Sequence, residues 1–299
     1  MAYQKRTLEE LNVMDDFLFS ALASDRYVGA PFCRVLLSAL LQRSIGKIRV
    51  VAQHAVPGSS PAYRGIRMDV QVEEFENCSG KEKEMVVNVY DLEPHLQKRE
   101  NLARHNRFYQ AKIDSRYMSS GEDDFSILPN LYVITITDFD PFGENYMMYT
   151  VQNHCLEVPS MKYEDGVQFV YFYTRGQKGG SQELQELLRY LQNSTEQNVR
   201  NETIRKIHGF VNQVKVSPEV KQEYMTFEHY VWLRRQEAAQ ETQVENILEF
   251  LGDLGDVSDD LKKRLEDEDD MKKLRKWCKL AARAKSIQEF QVQLDDAEN

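Results

Sequence analysis

Long apolar runs are missing from this sequence. No stretch approaches the roughly 20 consecutive apolar residues that a membrane-spanning helix needs. Residues 1–16 are charged and lack the apolar centre of a secretory signal peptide. We therefore expect a cytoplasmic protein without a membrane partner.

Cysteine is scarce as well. The four cysteines are far apart and form no C-x-x-C pair; they are Cys33, Cys78, Cys155 and Cys278. Zinc-binding motifs and disulfide frameworks need closely spaced or numerous cysteines. The sequence thus argues against both, and it predicts reduced thiols that are mostly buried.

An excess of basic residues is also absent, because the net charge is -10. Taken alone, this balance disfavours nucleic-acid binding, which relies on basic surfaces. The acidity is concentrated, however. Residues 253–270 contain nine acidic and three basic residues, and so account for more than half of the net charge. The remainder of the chain can still present a basic face to DNA.

Strand and helix patterns alternate in the first 180 residues. After an opening helical region, the predicted strands cover residues 48–52, 67–73, 85–92, 131–136, 147–151 and 167–173. A polar helix is predicted between the third and fourth strands, over about 98–117. A strand, a helix and a further strand indicate a parallel pair joined by a right-handed crossover. The pattern therefore predicts an α/β fold for residues 1–180.

Residues 181–299 have a helical pattern almost to their end. We predict a C-terminal helical extension there, with an acidic C-terminal part. Nothing in the extension indicates chemistry, so it is best interpreted as a packing or interaction module. Homo-oligomerisation through this extension is left open.

Acidic and imidazole side chains are found on neighbouring strands. Asp69 alternates with apolar neighbours, while Glu93 and His95 are two residues apart and project to one side. Carboxylate oxygens suit Mg²⁺, which polarises a phosphodiester and acidifies a bound water. A third polar group can orient that water. The spacing fits a metal-and-water site, although acids on an exposed strand face are more often simply solvated.

Pro94 lies between the last two of these residues. Proline cannot donate to a sheet ladder, so Pro94 indicates a strand end or a bulge. Its backbone carbonyl is available as a further metal ligand.

Three segments together resemble one protein family. They are residues 65–70 (GIRMDV), 89–95 (VYDLEPH) and 102–114 (LARHNRFYQAKID). They look like the transposases of the PD-(D/E)xK nuclease family, which are related to the recombination-promoting nucleases of bacteria. The similarity runs from about residue 15 to about residue 225.

The resemblance implies a restriction-endonuclease-like three-layer sandwich with a mixed central sheet. It also implies an Mg²⁺-dependent DNA endonuclease of the bacterial cytoplasm, with Mn²⁺ as a substitute. Asp69 and Glu93 match the metal-binding acids of the family. His95, predicted to orient water, stands where the motif has lysine, or glutamine in many relatives. The alternative is a catalytically degenerate nuclease fold that binds DNA or a protein.

The predicted helix after the site is rich in basic residues. We expect Arg104 and Arg107, which share a helix face, and also Lys98 and Arg99 to contact DNA phosphates. The competing interpretation is a solvated face with ion pairs. The aromatic residues 108–109 are predicted to pack in the core.

Four further acids lie at the ends of predicted elements. Asp15 and Asp16 precede the first helix, where carboxylates act as caps. The alternative is that an acid from this helix joins the metal site. Asp138 and Asp140 follow the strand at 131–136, and turn formation explains them better than a role in the site.

Overall fold

The structure is a computed structural model that describes residues 6–52, 70–77, 84–118, 121 and 123–298. It divides into two compact units, Met1–Tyr224 and Met225–Asn299. From the sequence, the mixed domain was predicted to end at residue 180. The division into compact units falls within one long helix, and the two helices after residue 180 pack against the helices of the first unit.

One six-stranded sheet lies in the first unit. Its strands are β1 Lys47–Ala52, β2 Val70–Asn77, β3 Glu84–His95, β4 Asn130–Thr137, β5 Met148–Val151 and β6 Val167–Tyr173. Their order across the sheet is β1-β2-β3-β4-β6-β5. β1, β2 and β3 are antiparallel neighbours, β3, β4 and β6 run parallel, and β5 is antiparallel to β6. The predicted α/β class and the parallel crossover are confirmed, and the sheet is mixed.

β4 is buried on both faces, which explains its almost continuous apolar sequence. Leu131, Val133, Ile134 and Ile136 are at most 1% exposed. Strands in the parallel part of a sheet commonly have this character, because helices or loops cover both of their faces.

Five helices of the described chain lie wholly in the first unit. They are α1 Asp16–Ser24, α2 Gly29–Leu40, α3 Leu102–Tyr117, α4 Gln182–Gln192 and α5 Glu202–Val216. Side-chain caps begin two of them, since Ser181 accepts from the Leu184 amide and Asn201 accepts from the Ile204 amide. A sixth helix, α6, spans Pro218–Gly252 and starts at its proline, as the sequence predicted.

The two faces of the sheet carry different contacts. On one face, Ile113 of α3 joins Val89, Leu131 and Val133 in a buried cluster. Residues of the same parity on β3 include Glu93, so α3 covers the face that carries the predicted site residue. On the opposite face, the Tyr90 hydroxyl donates to Glu74 and accepts from Arg43, which follows α2.

The second unit is helical and has its own core. Besides most of α6, it contains α7 Asp259–Glu266, α8 Met271–Ala281 and α9 Ile287–Glu298. Trp277 is 1% exposed and packs with Ile247, Leu265 and Phe290. This confirms the predicted helical character of the C-terminal region. Among the helices described, none has both the length and the apolar content of a bilayer span.

We expect Cys33 of the native protein to resist thiol reagents that modify Cys155. Cys33 is fully buried on α2, and this burial raises the pKa of its thiol to about 12, so both access and thiolate are lacking. Cys155 is only partly buried. Labelling with iodoacetamide, followed by peptide mass spectrometry, measures both rates. In denaturant the two cysteines should react alike, and equal rates in the native protein would contradict the structure.

Candidate metal centre

Glu93 and His95 lie side by side at the end of β3. Their register partners on β4 are Thr135 and Thr137, so both stand where the parallel strands end. Each side chain is 12% exposed, and Glu93 Oε2 is 3.3 Å from His95 Nε2. The prediction that these two residues project to the same side is confirmed.

A third residue, His105, joins them from the first turns of α3. Its Nδ1 is 3.6 Å from Glu93 Oε2, and its ring centroid is 5.9 Å from that of His95. Glu93, His95 and His105 can each offer one ligand atom, and these atoms lie within 4.8 Å of one another. No sequence pattern identified His105 as a site residue. The available signal was its place in the family-like segment 102–114, directly before a buried asparagine.

That asparagine, Asn106, fixes the position of His105. Asn106 is fully buried, and its Nδ2 donates to Thr135 Oγ1 at 2.9 Å. Its Oδ1 is therefore left as an acceptor, 3.3 Å from His105 Nδ1. Because Thr135 is the register partner of Glu93, this contact ties α3 to the strand position beside the site.

The hydrogen bonds also assign the tautomer of His105. Arg99 Nη1 is 2.6 Å from His105 Nε2, and a guanidinium can only donate. Nε2 must then accept, which leaves the ring proton on Nδ1, facing Asn106 Oδ1 and Glu93. Burial lowers the pKa of His105, and this outweighs the opposing attraction of Glu93. The neutral form of the ring is thus favoured.

The charge of Glu93 is compensated by its neighbours. Burial alone would raise the pKa of its carboxyl. The contacts with His95 and His105, and Arg99 Nη1 at 3.6 Å from Glu93 Oε1, outweigh burial, so the pKa of Glu93 is lowered. Arg99, predicted as a DNA contact, lies within the site itself.

Asp16, the first residue of α1, belongs to the same electrostatic environment. Partial burial raises the pKa of its carboxyl, the nearby negative charges of Asp15 and Glu93 raise it further, and His95 opposes them. Asp15 acts differently. It is the N-cap residue, but its carboxylate binds Arg6 at 2.6 Å and accepts from the Asn12 amide. The acid from the first helix that comes near the site is therefore Asp16.

His95 carries a polar atom without a hydrogen bond. Among the described residues, Nε2 finds no hydrogen-bond partner although it is buried, since its 3.3 Å contact with Glu93 lacks hydrogen-bond geometry. An unsatisfied buried polar atom costs about 1–3 kcal/mol. A cation between Nε2 and the Glu93 carboxylate would satisfy both groups. The residues present therefore fit a metal ion.

Two predicted ligands are not tested. Asp69 lies outside the described residues; its successor in the chain, Val70, pairs with Leu92. Pro94 is buried and pairs with Ile136, one residue before β3 ends. A strand end near Pro94 is confirmed, whereas a role of its carbonyl in binding metal stays a prediction.

The basic residues of α3 separate into two kinds. Arg104 and Arg107 are exposed, and within the described residues neither forms an ion pair. Phe108 is 57% exposed beside them, so its prediction as a core residue was wrong. Tyr109 is 6% exposed, and its ring is tilted against that of His105 with centroids 4.2 Å apart, so its prediction as a core residue is confirmed. Lys98 is exposed, and its DNA contact stays a prediction.

The acids after β4 have structural partners. Asp140 accepts from the amides of Phe142, Gly143 and Asn145, which confirms the predicted turn. Asp138 is 3.3 Å from Arg175. Neither belongs to the group formed by Glu93, His95 and His105.

Comparison with known proteins gives no relative. No family model, curated protein or solved structure matches the chain.

We expect Asn106→Leu to lower the free energy of unfolding by about 1–3 kcal/mol, because it leaves the buried Thr135 hydroxyl and the His105 ring without their partner. Urea unfolding measures this change. Thr135→Val is the matched control, since it removes the partner of Asn106 but keeps the shape. In the double variant the losses should be less than additive. Full additivity would show that the two residues are not coupled.

Proposed function

We propose that this protein is a metal-dependent endonuclease that hydrolyses DNA phosphodiester bonds. Its main support is the group of Glu93, His95 and His105, which gathers three potential ligand atoms at the end of the parallel strands. The resemblance of segments 65–70, 89–95 and 102–114 to the PD-(D/E)xK nuclease family supplies the substrate class. Under this proposal the sheet belongs to a restriction-endonuclease-like three-layer sandwich.

A divalent cation bound here, Mg²⁺ by the family resemblance or Mn²⁺ in its place, would polarise a phosphate and make a bound water more acidic. Glu93 holds the cation through its carboxylate. We assign Asp69 to the same cation, because it matches the first acid of the family. The Pro94 carbonyl is a further ligand under this proposal.

The chain's other groups position the reactants. In hydrolysis, the oxygen of water forms a bond to phosphorus, one phosphorus–oxygen ester bond breaks, and the departing oxygen takes up a proton. His95 lies beside Glu93, where it can orient that water or bind the cation itself. Arg99 is half-exposed and can exchange its contact with Glu93 for a phosphate oxygen.

The exposed face of α3 is the proposed DNA contact. Arg104 and Arg107 are three residues apart on one helix face, and they have no carboxylate partner in the part of the chain that the structure describes. They are on the helix that also supplies His105, so a backbone held by them passes near the site. Contacts of this kind fix the position of DNA without selecting its sequence.

We expect the purified protein to nick supercoiled plasmid when a divalent cation is present, and Glu93→Gln or Asp69→Asn to abolish the nicking. Glutamine keeps the shape of Glu93 but removes the charge that holds the cation. Agarose gels with Mg²⁺, with Mn²⁺ and with a chelator measure the reaction.

Glu84→Gln is the matched control for this experiment. Glu84 begins the same strand as Glu93 and pairs with Lys47, far from the end of the strand that carries the site. This control should nick like the wild type. If no cation supports nicking while DNA binding is retained, the protein is a degenerate nuclease fold that binds DNA. The absence of both activities would leave the protein-binding alternative.

We also expect the double variant Arg104→Ala/Arg107→Ala to weaken DNA binding equally for unrelated sequences. Loss of two phosphate contacts should reduce the slope of log affinity against log salt by about 1.8. Fluorescence anisotropy across a salt series measures the slope. Arg200→Ala/Arg205→Ala, with the same charge change on exposed residues around the start of α5, should leave it unchanged. Equal slopes for both double variants would show that α3 is not part of the DNA interface.

A further inference from the structure

We propose that the group of Glu93, His95 and His105 binds a divalent transition-metal ion of the Zn²⁺ and Co²⁺ class in preference to Mg²⁺, and that Arg99 competes with this ion. The inference concerns the same site as the proposed nuclease. It does not depend on DNA cleavage, because it concerns only the binding of an ion by these three side chains and its competition with Arg99.

The chemical type of the three side chains is the first reason. Two of the three potential ligands are imidazoles. Mg²⁺ selects hard oxygen ligands and keeps several waters, whereas imidazole nitrogen suits Zn²⁺, Co²⁺ and Ni²⁺. Two histidines with one carboxylate form a ligand set known for catalytic zinc, with a fourth position open to water. The described residues therefore fit an ion of intermediate softness, such as Zn²⁺ or Co²⁺, better than the hard ion Mg²⁺.

The distances between ligand atoms are the second reason. Two atoms bound to one tetrahedral ion at about 2.1 Å lie about 3.4 Å apart. Glu93 Oε2 is 3.3 Å from His95 Nε2 and 3.6 Å from His105 Nδ1. An ion can thus reach these atoms with small side-chain movements.

The unsatisfied nitrogen of His95 is the third reason. His95 is 12% exposed, and its Nε2 has no hydrogen bond to any described residue. This nitrogen lies 3.3 Å from Glu93 Oε2, yet the two atoms form no hydrogen bond. A metal ion between them uses the lone pair of the nitrogen, and this assigns His95 as a ligand rather than as a group that orients water.

His105 requires one rearrangement before it can bind an ion. In the structure its Nε2 accepts from Arg99, so the ring proton is on Nδ1, which faces Glu93. Binding through Nδ1 moves this proton to Nε2, where the guanidinium of Arg99 can no longer donate. Arg99 must then leave. Its departure also removes a positive charge from beside Glu93, because Nη1 of Arg99 lies 3.6 Å from Glu93 Oε1.

Arg99 therefore occupies the site in place of a cation. Its side chain is 46% exposed and precedes α3, so it can turn to solvent without disturbing the sheet. Removing its charge and its hydrogen bond should favour the bound ion. This consequence distinguishes a metal site from a purely structural cluster, in which Arg99 would only stabilise Glu93.

The test is a titration of the full chain, freed of metal with a chelator, with Co²⁺ followed by visible absorption and with Zn²⁺ and Mg²⁺ followed by calorimetry. We expect one Co²⁺ per chain, displacement by Zn²⁺, and no displacement by a large excess of Mg²⁺. His95→Ala and His105→Ala should weaken binding at least tenfold. His154→Ala, which changes an exposed histidine, should bind like the wild type.

Arg99→Ala is the decisive variant, because it should tighten Co²⁺ binding by about threefold or more. It also keeps the test valid if a histidine variant fails to fold. Absence of Co²⁺ binding, unchanged affinity in both histidine variants, or weaker binding in Arg99→Ala would overturn the inference. Nicking with Mg²⁺ and no binding of Co²⁺ or Zn²⁺ would overturn this inference alone. Binding of Co²⁺ without nicking in Mg²⁺, Mn²⁺, Co²⁺ or Zn²⁺ would overturn the proposed nuclease alone.

Discussion

The parallel pairing of β3 with β4 is the constraint on which the candidate metal centre depends. It sets Glu93 beside Thr135 and His95 beside Thr137. The chain between these strands contains α3, which the Asn106–Thr135 hydrogen bond fixes over the same end of the sheet. A one-residue shift of β3 would turn its two site residues to the opposite face. The register of the sheet therefore determines the geometry of the site. His105 comes to lie in the site because it is the chain neighbour of Asn106, which holds α3 in place.

Burial of Glu93 imposes the second condition on the site. A carboxylate that is only 12% exposed needs positive or hydrogen-bonding partners, because desolvation disfavours its charged form. In the structure this requirement is met in part by Arg99 and by the rings of His95 and His105, which together lower the pKa of Glu93 despite its burial. A cation would fill it more completely, since it would also use the unsatisfied nitrogen of His95. The negative charge of Glu93 can thus be compensated by the guanidinium of Arg99 or by a metal ion. The two arrangements exclude each other, because Arg99 donates to His105 Nε2, whereas an ion bound at Nδ1 requires the ring proton to be on Nε2.

Much of this arrangement follows from patterns of short range. The alternation of side chains along a strand predicted that Glu93 and His95 project to one side. The apolar sequence of β4, preceded by a helical segment, predicted the parallel crossover. His105 was missed because the rotation of α3 relative to the sheet is set by Asn106 and Thr135, which are 29 residues apart in the chain. The aromatic pair shows the same limit. Adjacent helix residues point in directions about 100° apart, so Tyr109 is buried and Phe108 is exposed, and only the rotation of the helix decides which.

Arg99 was assigned to DNA for a related reason. It lies before α3, in a segment without periodicity that ends at Asn101, whose φ of 59° is left-handed. No pattern of side chains predicts the direction of such a segment. In the sequence, Arg99 is one of several basic residues close together, which suggested a DNA contact. In the structure, it contacts Glu93 and His105 and so belongs to the site.

The distribution of charge allows a protein of net charge -10 to face a polyanion. Residues 225–299 contain 18 acidic and 12 basic residues, a net -6, which leaves -4 for residues 1–224. Charges more than about 8–10 Å away are largely screened at physiological salt. Under the proposed function, the charges that a phosphate backbone on α3 would meet first are those of the helix itself. There, Arg104 and Arg107 are exposed without ion pairs in the described part of the chain, while Arg99 is held by Glu93. A polyanion that draws Arg99 away from Glu93 would at the same time free His105 Nε2, so binding of a phosphate and binding of an ion should favour each other.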